Sequence, residues 1–371
     1  MTRDGHSWSI VTPEYPPGAG GVGDYTALLA ERLATAGDEV SVWTPRGVPS
    51  DERVRVQELP DRFGLGSVRA LRNDWAHARK DSVALVQYVP HGFGFKGMNV
   101  PFAAWLGSCP VRLWLMVHEP LYPFVMGQPL KHDVLASATW LMLRLAARRA
   151  ERIFVSTPAW ESFVPRALRA IPIEWLPIPA TIVPPTGAAP KATLRPSVAH
   201  FGTYGGHLSG PLLEIFAPLL ARRLDLELRL IGRGSEAFRS SLLSSHPDAA
   251  DRVVATGDAT PETVMAELAS AWVVVFPFVE GATARRTSLM SALAVGAAIV
   301  TTEGWCSESI WRDSGAVELV PIGRSDAAVE AVLALLESED RRTALRDRAR
   351  RLYTERFDMA RVVERLRTLR G

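Results

Sequence analysis

Residues 270–302 read SAWVVVFPFVEGATARRTSLMSALAVGAAIVTT, and this stretch decides the fold. The apolar run at 272–278 predicts a buried strand that ends in Pro277 and the Glu280-Gly281 turn. Arg285 and Arg286 follow, then an apolar period through Leu289 and Leu293 predicts a helix closed by Gly296. A second apolar run, 299–301, predicts the next strand. Strand, acidic turn, basic helix start, helix, glycine stop, strand is one half-turn of a doubly wound α/β sheet. Ligands of such sheets sit at the carboxyl ends of the strands, which is where Glu280 and the two arginines fall. A helix amino terminus carries unpaired N–H groups and a partial positive charge, so adjacent guanidiniums make it a place for an anion such as a diphosphate. Taken alone, the same residues also read as a solvated polar turn.

The chain has 371 residues, too many for one ordinary core, and two domains are expected. Its 42 basic and 40 acidic side chains leave a net charge of +2, which gives no electrostatic reason to expect a nucleic-acid partner. The two cysteines, Cys109 and Cys306, are far apart and lack metal-ligand spacing, against both a disulfide scaffold and a zinc site. The first residues, MTRDGHSWSIVTPEY, have no apolar stretch of signal-peptide length, and no segment reaches the roughly 18 apolar residues of a membrane span. A soluble, cytoplasmic protein is the expectation, with loose contact to a membrane surface left open. Of the 11 tryptophans, Trp105, Trp114 and Trp140 lie in apolar patterns that suit core packing.

Working outward to the amino terminus, a short strand at 7–12 runs into PEYPPGAGGVGDYTALLAERLATAGDEVSVWTP. Gly18, Gly20, Gly21 and Gly23 permit a tight turn, Asp24 is placed to cap a helix with Leu28, Leu29 and Leu33 on its buried face, and Gly37 ends it before a strand at 39–44. This βαβ unit lacks the GxGxxG dinucleotide fingerprint, and Glu39 is not at the usual ribose-binding place, which disfavours a nicotinamide enzyme. Strands are expected at 54–59, 82–89 and 111–117, with a helix at 67–79. The segment PHGFGFKGMNVPFAAWLG begins as a glycine-rich loop, and His118-Glu119-Pro120 follows the strand at 111–117. Three neighbouring strand ends thus carry glycine or His/Glu chemistry, more than turn residues alone require. A long helix is expected at 134–152, followed by a strand at 153–156. Its arginines, Arg144, Arg148, Arg149 and Arg152, read either as a solvated face complementing the helix carboxyl end or as a face for a membrane surface or acidic partner.

The Pro-rich stretch at 172–196 has no helical period and reads as a linker. A second set of elements begins at residue 197: a strand at 198–201, GTYGGHLSG, a helix at 211–223, a strand at 226–231, GRGSE, a strand at 252–255 and a helix at 261–269 that delivers the chain to the stretch quoted first. Domains are therefore expected at 1–175 and 197–350, with the linker at 176–196 and a terminal helical segment at 351–371 that crosses back to brace the first domain. Such an arrangement sets polar strand ends across a cleft, the usual place for a small-molecule site.

The ordered set of motifs resembles a known family. The run from Pro16-Pro17 through Gly20-Gly21-Val22-Gly23-Asp24-Tyr25, with GDEVSVWTP, is similar to the opening of the family 4 retaining glycosyltransferases. His118-Glu119, FGTYGG, LIGRGSE, ATGDAT and PFVEGATARRTSLMSALAVGAAIVTT continue the resemblance over nearly the whole chain. It implies a GT-B fold, two Rossmann-like domains facing each other across a cleft, the first on the acceptor side and the second on the donor side. It implies a hexosyltransferase that moves a sugar from a nucleotide-diphosphate sugar to an acceptor with retention of configuration, needing neither cofactor nor metal. Retention in the family is commonly explained by same-face attack, with the leaving phosphate accepting the acceptor's proton, so neither Glu280 nor Glu119 is expected as a general base.

Residue by residue, the resemblance gives Gly20 and Gly21 as backbone donors to the diphosphate or sugar, His118 beside the transferred sugar, and Glu280 as the holder of sugar hydroxyls. Gly202, Thr203, Gly281, Ala282 and Thr283 fall on the donor side as well. Two family features are missing. The second glutamate, which binds ribose, is replaced by serine, Ser288 counting from Glu280 or Ser291 counting back from Gly296. The basic pair that clamps the diphosphate after the first strand of the second domain is absent from GTYGGHLSGPL, and Arg285, Arg286 or Arg233 is expected to replace it. UDP or GDP is the expected carrier. The acceptor, a glycan, a lipid or a small aglycone, is expected at the loops around 93–98 and 122–131. Alternatives are another GT-B enzyme, an epimerase or a phosphorylase, and a catalytically silent nucleotide-sugar binder.

Overall fold

The computed structural model describes residues 5–18, 20–48, 52–109, 111–165, 168, 170–182 and 195–370. The chain divides into two compact units, Met1–Pro177 with Met359–Gly371, and Ile178–Asp358. Most of the linker expected at 176–196 lies outside the described residues.

The first unit runs β1 (Ser7–Val11), α1 (Gly21–Thr35), β2 (Glu39–Thr44), β3 (Val54–Glu58), α2 (Leu65–His77), β4 (Val83–Tyr88), α3 (Val100–Leu106), β5 (Arg112–Val117), α4 (Leu130–Ala146), β6 (Ala150–Val155) and β7 (Ile173–Trp175). Its sheet has the order β3-β2-β1-β4-β5-β6-β7 with every pair parallel. Helices cover both faces of such a sheet, so its inner strands are apolar throughout: VALVQY of β4 is buried at every position. The order reverses between β1 and β4, where Ile10 pairs with both Val42 and Leu85.

The second unit runs β8 (Ser197–Phe201), α5 (Ser209–Arg222), β9 (Glu227–Ile231), α6 (Ser235–Ser245), β10 (Val253–Ala255), α7 (Pro261–Ser270), β11 (Val273–Phe276), α8 (Thr287–Ala294), β12 (Ile299–Glu303), α9 (Ile310–Ser314), β13 (Glu318–Pro321), α10 (Ser325–Glu337) and α11 (Glu339–Leu352). Its parallel sheet has the order β10-β9-β8-β11-β12-β13, reversing between β8 and β11. The stretch quoted first is β11, α8 and β12, with β11 buried at all four positions. In each unit the reversal opens a crevice at the carboxyl ends of the central strands, where doubly wound sheets hold ligands.

Three elements depart from the sequence expectation. The helix expected at 134–152 begins at Leu130 and ends at Ala146, and Arg152 lies in β6 with its guanidinium 5.8 Å from the Trp114 ring centroid. Pairing of Ala150 and Ile153 with Leu113 and Leu115 of β5 pulls the chain into the sheet before the arginine run is finished. Strand β7 is formed by Ile173-Glu174-Trp175 amid prolines, through pairing with β6. The second unit continues to Asp358 rather than stopping at 350, because Phe357 stacks on buried Trp311 at 5.5 Å. The last helix, α12 (Met359–Thr368), belongs to the first unit, where Arg365 pairs with Glu174 and Arg367 with buried Asp38.

Candidate active site

In the second unit the turn between β11 and α8 carries Glu280, Arg285 and Arg286. Gly281 adopts φ +95°, and a Cβ there would lie 2.3 Å from Ser307 Oγ and 2.4 Å from the Gly304 nitrogen, so only glycine fits. The Gly281 N–H donates to the Phe278 carbonyl (3.1 Å) and the Ala282 N–H to the Thr302 carbonyl (2.7 Å), while the Glu280 carbonyl accepts from Cys306 N (3.0 Å). The Ala284 N–H donates to both carboxylate oxygens of buried Glu308 at 3.2 Å, and Trp311 Nε1 donates to the same carboxylate at 2.7 Å. The turn is therefore held from beneath by the segment after β12. Gly281 and Ala282, expected on the donor side, have their amides occupied inside the turn. Thr283 is fully buried, and its Oγ1 has no hydrogen-bond partner.

On this base Glu280 Oε2 accepts from Arg285 Nη2 at 2.5 Å and from Arg286 Nη2 at 2.9 Å. Two guanidiniums share this one carboxylate, and all three side chains are partly shielded from water. Burial lowers the pKa of Arg286 from its ordinary value, and the Arg285 charge lowers it further, with Glu280 opposing. Its guanidinium also sits 5.2 Å from the Phe278 ring centroid. A desolvated pair of like charges is an electrostatic reason for the turn to attract an anion. Ser288 is half-buried, whereas Ser291 is buried with its hydroxyl unpartnered.

The loop after β8 faces the same strand ends. Gly232 and Gly234 after β9 come so close to it that a Cβ on either would meet the Gly202 carbonyl at 2.4 Å or the Tyr204 carbonyl at 2.8 Å. Tyr204 locks the two loops, its hydroxyl donating to the His200 carbonyl (2.9 Å) and accepting from Ile231 N (3.1 Å). Gly202 is half-buried and Thr203 exposed. The following turn reaches α5 with Gly205 and Gly206 at positive φ and nothing within 4 Å of a Cβ on either. No side-chain capping bond is present at the start of α5 among the described residues. Pro211 and Glu214 of α5, Pro277 to Val279 of the β11–α8 turn, Thr302 and Arg324 line one cavity of about 320 Å³. Arg233 stands apart from it, exposed and 3.2 Å from Asp258.

The glycine-rich turn of the first unit differs from its expected role. Asp24 does not cap α1. Glu14 does, its Oε1 accepting from Val22 N at 2.9 Å and Gly23 N at 3.1 Å. A Cβ on Gly20 would lie 2.4 Å from the Glu14 carboxylate, so the glycine is where that carboxylate lies. An anion approaching Gly20 and Gly21 meets a negative charge already seated at the helix terminus. Burial raises the pKa of Asp24, and Glu14 raises it further.

His118, at the end of β5, is buried, with Nε2 2.7 Å from Gln87 Oε1 and its ring edge-on to Tyr25 at 5.5 Å. Burial lowers its pKa to about 4, with the neighbouring Glu119 opposing, so the imidazole is neutral near pH 7. With Gln87 Oε1 as acceptor, Nε2 carries the proton and Nδ1 is the acceptor. Glu119 pairs with His91, Nδ1 to Oε2 3.1 Å, which raises the His91 pKa. Glu14, Gln87 and Glu308 escape sequence reading; only the helix start seven residues after Glu14 hints at a cap. Among the described residues no group of three or more His, Cys, Asp or Glu could hold a metal ion.

Comparison with known proteins finds a family match in each half of the chain. Residues 20–181 match the family described as "Glycosyl transferase 4-like domain" and residues 207–338 the family "Glycosyl transferases group 1". No curated protein matches the sequence. Among solved structures, sucrose-phosphate synthase from Thermosynechococcus elongatus is similar with TM-score 0.73 and 17% identity, covering 98% of each chain. HepE from Anabaena, solved with UDP and glucose, is similar with TM-score 0.67 and 13% identity, covering 98% of this chain and 99% of that one. WaaG, a glycosyltransferase involved in lipopolysaccharide biosynthesis, is similar with TM-score 0.65 and 14% identity, covering 97% and 98%. The chain has the GT-B fold and carries glycosyltransferase domains in both halves, 4-like in the first and group 1 in the second.

Proposed function

We propose that the chain transfers a glycosyl group from a nucleoside-diphosphate sugar to an acceptor hydroxyl with retention of configuration, and that its second unit binds the donor. The observation that carries this reading is the Glu280, Arg285 and Arg286 group, held on a turn whose own amides are already bonded. Preorganised cations of this kind stabilise charge where it develops, without reorganising at the moment of reaction. The diphosphate draws the two guanidiniums and the uncapped amides of α5, and the Glu280 carboxylate turns to the sugar hydroxyls. Gly202 and Thr203 shape the approach to the phosphates, and Ser288 offers its hydroxyl to the ribose.

In the transfer, the bond between the anomeric carbon and the diphosphate oxygen breaks while the acceptor oxygen bonds the same face of that carbon. The acceptor's proton passes to the leaving phosphate, whose growing charge the arginines meet in place of a metal ion. His118 contributes as a neutral acceptor from a hydroxyl rather than as a cation on the phosphate, since its imidazole is held neutral.

UDP is the first carrier to test, because HepE from Anabaena was solved with UDP-glucose. A thermal-shift screen with UDP, GDP, ADP and TDP sugars is expected to raise the melting temperature with one base only, since a donor that binds the native state alone stabilises it. Proton NMR of the product then reads the anomeric configuration. No response to any nucleotide at millimolar concentration sinks the proposal, and an inverted product removes retention from it.

A further inference from the structure

The outward face of α4 has the wrong polarity for water. Leu130, Val134, Ser137, Leu141 and Arg144 follow one another at helical spacing and are all exposed, as is Arg148 in the short turn after the helix, while Ala136, Met142, Leu143 and Ala146 fill the opposite, buried side. A helix on a water-facing surface ordinarily turns polar residues outward. Here Leu130, Val134 and Leu141 face outward as well, with Lys131 beside the first of them and Arg144 in the last turn. The segment leading into α4 continues the feature: Phe124 and Val125 are more than half exposed, and Met126 is fully exposed. Beside it, the turn at Pro90–Phe93 packs on α4, and a Cβ on Gly97 would lie 3.5 Å from Leu135 Cδ1. That bend places four consecutive residues, 94–97, at positive φ, and it leaves Phe95 66% exposed with Lys96 next to it. Holding Phe and Lys in left-handed backbone costs energy that burial of Phe95 within the unit does not return.

The charges around these side chains select the occupant. From 121 to 149 the basic residues are Lys131, Arg144, Arg148 and Arg149, against Asp133 as the one acid, whose carboxylate accepts from Gln128 at 2.7 Å. A second copy docking on the same face would set these cations against themselves. Side chains as exposed as Met126 and Leu130, at 102% and 78%, stand out from the surface instead of lining a groove that could receive a peptide. No described helix is long and apolar enough to cross a membrane. Apolar side chains that protrude among cations fit a surface that is apolar below and negative above.

We propose that the 121–131 segment, the outward face of α4 and the Phe95-Lys96 bend lie on an anionic lipid bilayer, with the apolar side chains in the acyl boundary and Lys131, Arg144 and Arg148 at the headgroups. This inference does not rest on the transferase reading, because vesicle binding needs no nucleotide sugar. The test is cosedimentation of the full chain with phosphatidylcholine vesicles containing or lacking phosphatidylglycerol. Binding is expected only with the anionic lipid and is expected to weaken with salt. The double variant Phe124→Ser/Met126→Ser and the double variant Arg144→Gln/Arg148→Gln should each lower partitioning roughly tenfold or more. Melting temperatures like the parent's check that the variants fold. Independently of any folding effect, vesicles with brominated acyl chains should quench the parent's tryptophan fluorescence, less so after Trp140→Phe. Absence of binding to anionic vesicles, binding by either variant equal to the parent's, or a concentration-dependent dimer that the apolar variant dissociates overturns the proposal.

Discussion

The amino termini of α1 and α5 each follow a glycine-rich turn after the central strand of a parallel sheet, yet one is filled and the other is open. At α1 the carboxylate of Glu14 receives the Val22 and Gly23 amides and rests against Gly20. At α5 no side-chain cap is present among the described residues, and a Cβ on Gly205 or Gly206 would have nothing within 4 Å. Unpaired amides and the helix dipole favour an anion at either place. The first unit supplies its own; the second has no such cap among the described residues, and the function proposed above gives the position to the donor's diphosphate, with Arg285 and Arg286 on the adjoining turn. Two glycine turns that look alike in sequence thus differ in the sign of the field they offer.

The largest effect is expected where the comparison assigns the anion. Arg285→Ala/Arg286→Ala should weaken nucleoside-diphosphate binding by about a hundredfold or more, since charge-assisted hydrogen bonds contribute roughly 1.5–3 kcal/mol each. Isothermal titration showing unchanged affinity would break the assignment of the donor to this unit.

Acid tests the buried imidazole of each unit. His118 and His200 have pKa values lowered by burial to about 4 and about 3, below the ordinary 6.5. The unfolded chain therefore binds protons first, and stability that is complete above pH 6.5 is lost as pH falls toward the folded values. The loss is expected on the order of a few kcal/mol per imidazole, read by urea unfolding from pH 7 to pH 4. A flat profile would show that the imidazoles are not held neutral.

A smaller effect sharpens the contrast between the turns. Glu14→Gln should cost the first unit about 1 kcal/mol, a drop of a few degrees in melting temperature, because the helix loses a charged cap. The vacated charge should let inorganic phosphate stabilise the variant more than the parent. An equal phosphate response in both would mean that Glu14 does not fill the turn. The smallest change is expected for Arg233→Ala. Its guanidinium is exposed and paired with Asp258, so nucleotide affinity should move by less than about threefold, as for other exposed ion pairs. A tenfold loss would return Arg233 to the phosphate clamp.

Much of the architecture could be read from spacing. The apolar runs on either side of Glu280, the helical period through Leu289 and Leu293, and Gly296 as the stop are short-range signals, and they correspond to β11, α8 and β12. The nearness of Glu280 to Arg285 and Arg286 was legible for the same reason, because five or six residues of turn hold them together whatever the rest of the chain does. That they pair with one another was not legible, since it depends on how Ser307, Glu308 and Gly304 fold underneath.

By itself, the order of residues determined the alternation of strand and helix, the two-domain plan and the placement of charge at strand ends. Backbone preference and apolar period act over a few positions and are written in neighbouring residues. Only the tertiary structure decided that Glu14 seats itself on α1, that Ile173-Glu174-Trp175 becomes a strand among prolines and that His118 is neutral. Each of these depends on a partner far away in sequence or on removal of a group from water, and neither distance in the chain nor residue type encodes desolvation.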